Sequence, residues 1–209
     1  MLRRLLCIVV ALVALCSARP CMAQTYVKLN GLYACVGVIN TQVEFRLSPH
    51  STFQTEAVYS PWQSINGHPM HFGIFLNEYR YYIKESNRGF YVAANAGMMA
   101  FKMSKPELRN GSITLQNRYC KGYGYMLGLA IGYEHRFADR WIVDVFFGYS
   151  FMDSRYNGYS MDGEIDMYPH RPAWKEPSSP DPFNGSSEWL PNKVGVSIGI
   201  LIFDPAKRK

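Results

Sequence analysis

Glu134, Arg136 and Asp144 stand at alternate positions of GYEHRFADRWIVDVFFGYSF, residues 132 to 151, a stretch otherwise dominated by aromatic and aliphatic residues. Side chains two residues apart share one face of a strand. The same spacing recurs in Glu44 with Arg46 and in Glu78 with Arg80, while Lys28 and Glu56 stand singly in comparable segments. A buried charge left alone is costly, so acids and bases in this pattern have to face one another. The set reads first as an interior ionic network that fixes the fold, and second as a proton or ion path.

Other chemistry is poorly provided for. A site hydrolysing lipid would need a serine, a histidine and an acid within reach of one another. His135 alternates onto the face opposite Glu134 and Arg136, and Ser150 falls on another strand near its far end. The chain has no G-x-S-x-G, phosphate-binding loop or dinucleotide fingerprint. His68 and His71 in HPMH could hold a metal ion, yet no third ligand is evident. Asp162, Glu164 and Asp166 depart from the spacing of a calcium loop. The expectation is no catalytic residue, no metal and no cofactor. Lys28, Glu44, Arg46, Glu56, Glu78, Arg80, Glu134, Arg136 and Asp144 are expected to form a structural network.

The elements that carry these charges alternate with period two, which marks strands. Trp141, Val143, Val145, Phe147, Tyr149 and Phe151 form one apolar face against Ile142, Asp144, Phe146, Gly148 and Ser150. Tyr123, Tyr125, Leu127, Leu129, Ile131 and Tyr133 likewise oppose Gly124, Met126, Gly128, Ala130, Gly132 and Glu134. Strands are expected near 26–38, 42–47, 53–62, 70–83, 90–103, 122–137, 141–155 and 193–203. The connectors SPHST (48–52), ESNRG (85–89) and ADR (138–140) are short, whereas INGHP (65–69), 104–121 and 156–192 are longer. The connection around Asn40 breaks this rule by being brief.

Short turns at one end, long loops at the other and an even strand count fit a transmembrane barrel of the bacterial outer membrane. A soluble lipocalin-like exported barrel is the competing architecture. Such a barrel would turn polar residues to water, whereas here the second face is rich in Gly and Ala with a few charges. Small residues suit the narrow interior of an eight-stranded barrel. Tyr79, Tyr81, Tyr123, Tyr125, Tyr133 and Trp141 lie near strand ends, as interfacial aromatic girdles do.

YSPW (59–62), EYRYYI (78–83), GYGYMLGLAIGYEHRF-ADRW (122–141) and KVGVSIGILIF (193–203) resemble a family of uncharacterised small outer-membrane barrel proteins. That family is catalogued as domain of unknown function 3575 and is found mainly in anaerobic Gram-negative bacteria. The likeness runs from Lys28 and Asn30 to Phe203. It departs at Tyr79, where a small residue is usual, and in an extended last loop. The resemblance implies an OmpA-like barrel of about eight strands and carries over no catalytic residue.

At the N-terminus, Arg3 and Arg4 precede an uncharged run from Leu5 to Cys16 and then Ser17 to Ala23, the layout of a secretory signal peptide spanning 1–23. Its loss would remove Arg3, Arg4 and Arg19 and take the formal charge from +6 to +3. The basic tail Lys207, Arg208 and Lys209 accounts for that remainder, so the charge gives no reason to expect nucleic acid. Only Cys35 and Cys120 would remain, one possible bridge and no disulfide framework.

The sequence is therefore read as an all-β, eight-stranded antiparallel up-and-down transmembrane β-barrel over residues 24–209, with a long external loop at about 156–192. The expected function is non-enzymatic, structural or binding through the loops. The alternatives are a small barrel enzyme acting on lipid and the soluble binding barrel. Expected partners are outer-membrane lipid and a surface ligand or appendage protein, with the barrel itself a monomer.

Overall fold

The computed structural model describes residues 24–104, 106–109, 111–115, 117–161 and 184–204. The expected leader 1–23, the acidic trio Asp162, Glu164 and Asp166, and the basic tail lie outside the described residues. Alternating side chains let each strand satisfy its backbone in the sheet while presenting one apolar and one mixed face. The elements in chain order are β1 (Thr25–Asn30), α1 (Gly31–Cys35), β2 (Ile39–Arg46), β3 (Ser51–Ile65), β4 (His68–Tyr82) and β5 (Gly89–Met103). They continue with β6 (Pro106–Arg109), β7 (Ser112–Leu115), β8 (Arg118–Arg136), β9 (Trp141–Ser160) and β10 (Asn184–Phe203).

Eight of these strands close a barrel in the order β1, β10, β9, β8, β5, β4, β3, β2, every neighbour antiparallel. Closure removes the free sheet edges that would otherwise invite aggregation. β6 and β7 form a separate two-stranded hairpin between β5 and β8. The eight-stranded reading thus holds, and the strand boundaries change in four places.

The first strand is much shorter than 26–38, because the chain turns into α1 after Asn30. Asn30 caps that helix, its side-chain oxygen accepting from the Leu32 N–H. The connection that looked brief at Asn40 therefore runs from 31 to 38. INGHP is the reverse case. Asn66 (φ 50°) and Gly67 (φ 84°) make a tight turn, and β3 and β4 stay paired up to Ile65 and His68. Two successive left-handed residues match the twist of a hairpin. The stretch 104–121 holds the β6–β7 hairpin and the start of β8. β9 and β10 remain paired as far as Tyr156 and Asn184, so the last loop is shorter than 156–192.

The strands are strongly staggered. From Gly199 on β10 the register passes through Lys28, Gln42, Glu56, Leu76, Gly97, Met126 and Met152 and returns to β10 at Glu188. Discounting the irregularity between Pro191 and Lys193, that is a stagger of about ten residues, which for eight strands means a tilt of about 40°. Residues far apart in register are thereby brought to one level of the lumen.

The outer face is apolar. Leu127, Leu129 and Ile131 of β8 are 66, 69 and 62 % exposed, while the alternating Met126 and Ala130 are buried in the lumen. From Tyr123 to Tyr133 the belt on β8 is about 25 Å tall at that tilt.

Candidate functional site

Strands β5, β8, β9 and β10 turn glycines, alanines and serines inward, and these make room for large polar residues. Gly199 leaves space for Lys28, whose Cγ would stand 2.6 Å from a β-carbon there. Gly132 lies directly beneath the Tyr91 ring, which a β-carbon would strike. Lys28, Glu44, Glu78, Arg80, Glu134 and Asp144 are all fully or almost fully buried.

Arg80 is central. Its Nη1 donates to Asp144 Oδ2 at 2.7 Å and to Glu44 Oε2 at 3.3 Å, and its Nε donates to Glu78 Oε1 at 2.7 Å. Lys28 is paired with Glu44 and donates to Asp144 Oδ2 at 2.9 Å, with Glu134 Oε1 at 3.6 Å. Lys193 of β10 then links Glu56 at 2.9 Å to Glu78 at 3.0 Å. Asn40 closes the upper side by donating to Glu56 Oε1 at 2.7 Å.

Five carboxylates thus surround three cations, and neutral donors supply further hydrogen bonds, while Glu78 Oε2 and Arg80 Nη2 stay buried without a hydrogen-bond partner among the described residues. Tyr91 Oη donates to Asp144 Oδ1 at 2.9 Å. Tyr82 Oη lies against both Glu44 and Glu134, and Thr52 Oγ1 donates to Glu44. Tyr82 has one hydroxyl hydrogen and can donate to only one of its two carboxyl neighbours at a time. The Arg80 guanidinium also sits 4.5 Å from the centre of the Tyr91 ring, a favourable cation–π distance. Tyr82, Tyr91, Ala93, Ala130 and Phe146 pack as one apolar cluster beside the charges, and Tyr26, Ile142 and Leu201 pack as another.

Seven of the nine residues expected in the network are therefore in it: Lys28, Glu44, Glu56, Glu78, Arg80, Glu134 and Asp144. Arg46 and Arg136 are not. Arg46 is partly exposed at the end with the short turns, 3.7 Å from Glu85, and donates to Gln24 Oε1 at 3.1 Å. The Arg136 guanidinium lies 5.9 Å from the Tyr26 ring and borders the mouth at that same end. Both stand one inward position nearer the barrel end than their neighbours Glu44 and Glu134.

Lys193, Tyr82 and Tyr91 were missed, although the signal was available. Lys193 shares its face with Gly195, Ser197 and Gly199, Tyr82 shares its face with Glu78 and Arg80, and Tyr91 shares its face with Ala93 and Asn95. Alternation alone assigns all three inward.

The other candidate sites do not assemble. His68 and His71 are three apart on β4 and so point to opposite faces, His71 setting its ring edge-on to Tyr59. Among the described residues, no group of three His, Cys, Asp or Glu side chains is close enough to hold a metal ion. His135 is exposed on the outer face, whereas Ser150 is buried inside and donates to Asn95 Oδ1 at 3.1 Å. Cys35 is exposed and Cys120 is buried, and the two are not bridged.

A family model described as a protein of unknown function, DUF3575, matches residues 5–173. The chain belongs to the DUF3575 family. The match includes β1 through β9 and ends before β10, so the Lys193 arm of this DUF3575 lumen lies beyond the matched residues. No curated protein and no solved structure matches the chain.

Proposed function

We propose that this protein is a non-enzymatic integral barrel of the bacterial outer membrane. Its lumen is closed by the ionic network, and its loops are free to meet a surface ligand or an appendage protein. The observation that carries the reading is the inversion of the barrel. Leu127, Leu129, Ile131, Val145, Phe147, Val194, Val196 and Ile198 face outward, while charged and amide side chains face inward. A contiguous apolar surface of this extent is unfavourable in water and is what a hydrocarbon layer requires. The belt height of about 25 Å agrees with a membrane span. In this orientation the short turns 47–50, 83–88 and 137–140 lie in the periplasm.

The network supports a closed structural role over a conducting one. Arg80, Tyr82, Tyr91 and Phe146 fill the cross-section at one level, as the interior of an eight-stranded barrel allows. Membrane fractionation with gel mobility before and after heating tests the reading. The protein is expected in the outer-membrane fraction, migrating faster when unheated. Recovery in the soluble periplasmic fraction would overturn it in favour of a soluble binding barrel.

A further inference from the structure

The barrel wall is not paired over its full height. β1 ends at Asn30 opposite Ser197, and β2 begins at Ile39 opposite Tyr59. Beyond these points β10 continues from Val196 to Asn184 with β9 as its neighbour, and β3 continues from Ser60 to Ile65 with β4 as its neighbour. Between the two flanks is a notch, open toward the loop end. Each flank carries a proline, Pro61 on β3 and Pro191 on β10. Proline has no N–H to give a neighbouring strand and is confined to edges. The sequence therefore ends the ladder on both sides of the same gap.

α1 is a thin cover for that gap, and none of its five residues is buried. It is tethered on one flank by Asn30 Nδ2 donating to Val194 O at 3.2 Å, and on the other by Trp62 Nε1 donating to Val36 O at 2.9 Å. Around it Leu32, Val36 and Ile39 are at least half exposed, an apolar apron on the outer surface. Behind the cover lies a cavity of about 190 Å³. It is walled by Tyr33 of α1, Phe72 and Ile74 of β4, and Met99, Met126 and Met152 from three further strands. Its near side is Leu190 and Pro191, the notch flank itself.

The floor is polar and sets the depth. Ser150 Oγ and Asn192 Nδ2 both donate to Asn95 Oδ1, at 3.1 and 3.2 Å, and Lys193 with Glu78 lies beyond. An apolar cavity of about 150 Å³ is large enough to stay dry and take up benzene. Methionine walls adapt to flexible aliphatic shapes. Ser197 lies six residues above Phe203, so the notch opens about 15 Å above the periplasmic end of β10, in the upper part of the apolar belt.

We propose that this cavity takes the terminal segment of a lipid acyl chain, admitted sideways through the notch under α1. The inference rests on the membrane reading above. A chain of the outward-facing leaflet lies at the right height, meets an apolar apron and an apolar wall, and stops at the Asn95, Ser150 and Asn192 floor.

The test reconstitutes the full protein in phosphatidylcholine vesicles containing a phosphatidylcholine whose acyl chain ends in a photoactivated diazirine. Labelled peptides are then mapped. Wild type is expected to carry label on the outer belt and also on the inward residues Met126 and Met152. Met126→Trp on β8 and, two strands away on β4, Ile74→Trp are expected to lose the lumen label and keep the belt label. Two variants keep the test valid if one fails to refold. A second arm replaces the lipid probe with diazirine-bearing hexanoic acid added from solution.

Lumen label from the lipid upholds the proposal whatever the acid does. Lumen label from the acid alone overturns side entry, and belt label with an unlabelled lumen in both arms overturns the acyl site. An unlabelled belt would instead overturn the membrane reading.

Discussion

Arg80 donates to Glu78 and Asp144 from different nitrogens and also reaches Glu44, so its removal leaves these three buried carboxylates to Lys28 and Lys193 alone. Breaking a buried ion pair by removing one partner costs about 3–5 kcal/mol. Arg80→Met is expected to lose stability on that scale, read as a lower urea midpoint for refolding in detergent. Arg80→Met combined with Asp144→Asn is expected to lose less than the two single changes added together, because the residues share one network. Strict additivity would mean that the network does not couple them. Cysteine chemistry gives a second check at this scale. Cys35 is exposed and Cys120 buried, so a maleimide should label Cys35 in the folded barrel and Cys120 only after unfolding. Equal labelling of both in the folded state would contradict the burial.

At the scale of elements, the ladder between β9 and β10 determines what can be removed. It runs from Trp141 against Ile200 up to Tyr156 against Asn184, and Tyr149 stacks on Trp189 at 5.9 Å near its upper part. Replacing 162–183 by a short Gly-Ser turn is expected to leave the heat-modifiable mobility unchanged, since no described barrel pairing lies in that segment. Loss of the fast-migrating folded band would show that the segment contributes to the barrel after all. If the same replacement abolishes adhesion or appendage assembly while folding survives, the loops act as a platform.

Taken as one object, the molecule is a staggered cylinder whose interior is closed at the level of the charged layer and holds a cavity above it. The tilt of about 40° carries β4 and β9 residues to one level, where Arg80 meets Asp144 across the lumen at 2.7 Å. Reconstituted in a planar bilayer, the protein is expected to show no open-channel steps. Stable porin-like conductance would mean that the Arg80, Tyr82 and Tyr91 layer does not close the lumen. Much of this was legible in the chain. Period-two alternation assigned Leu127 outward and Met126 inward, and the alternate spacing of Glu78 and Arg80 placed both charges on one face. The network's membership was legible only in part, because Arg46 and Arg136 follow the same alternation as Glu44 and Glu134 yet lie one step nearer the rim.

What the sequence determined by itself is the alternation and the punctuation. Side chains on a strand must alternate, Asn66 and Gly67 can adopt left-handed backbone where other residues resist it, and Pro61 and Pro191 cannot extend a ladder. Tertiary structure alone decided the stagger, and with it which charges meet. Register between strands depends on how the whole ring closes, and that is a property of eight strands together. The early end of β1, the turn into α1 and the resulting notch belong to the same class. They depend on which neighbours β3 and β10 find beside them, and the local pattern records only that Pro61 and Pro191 cannot take a further strand.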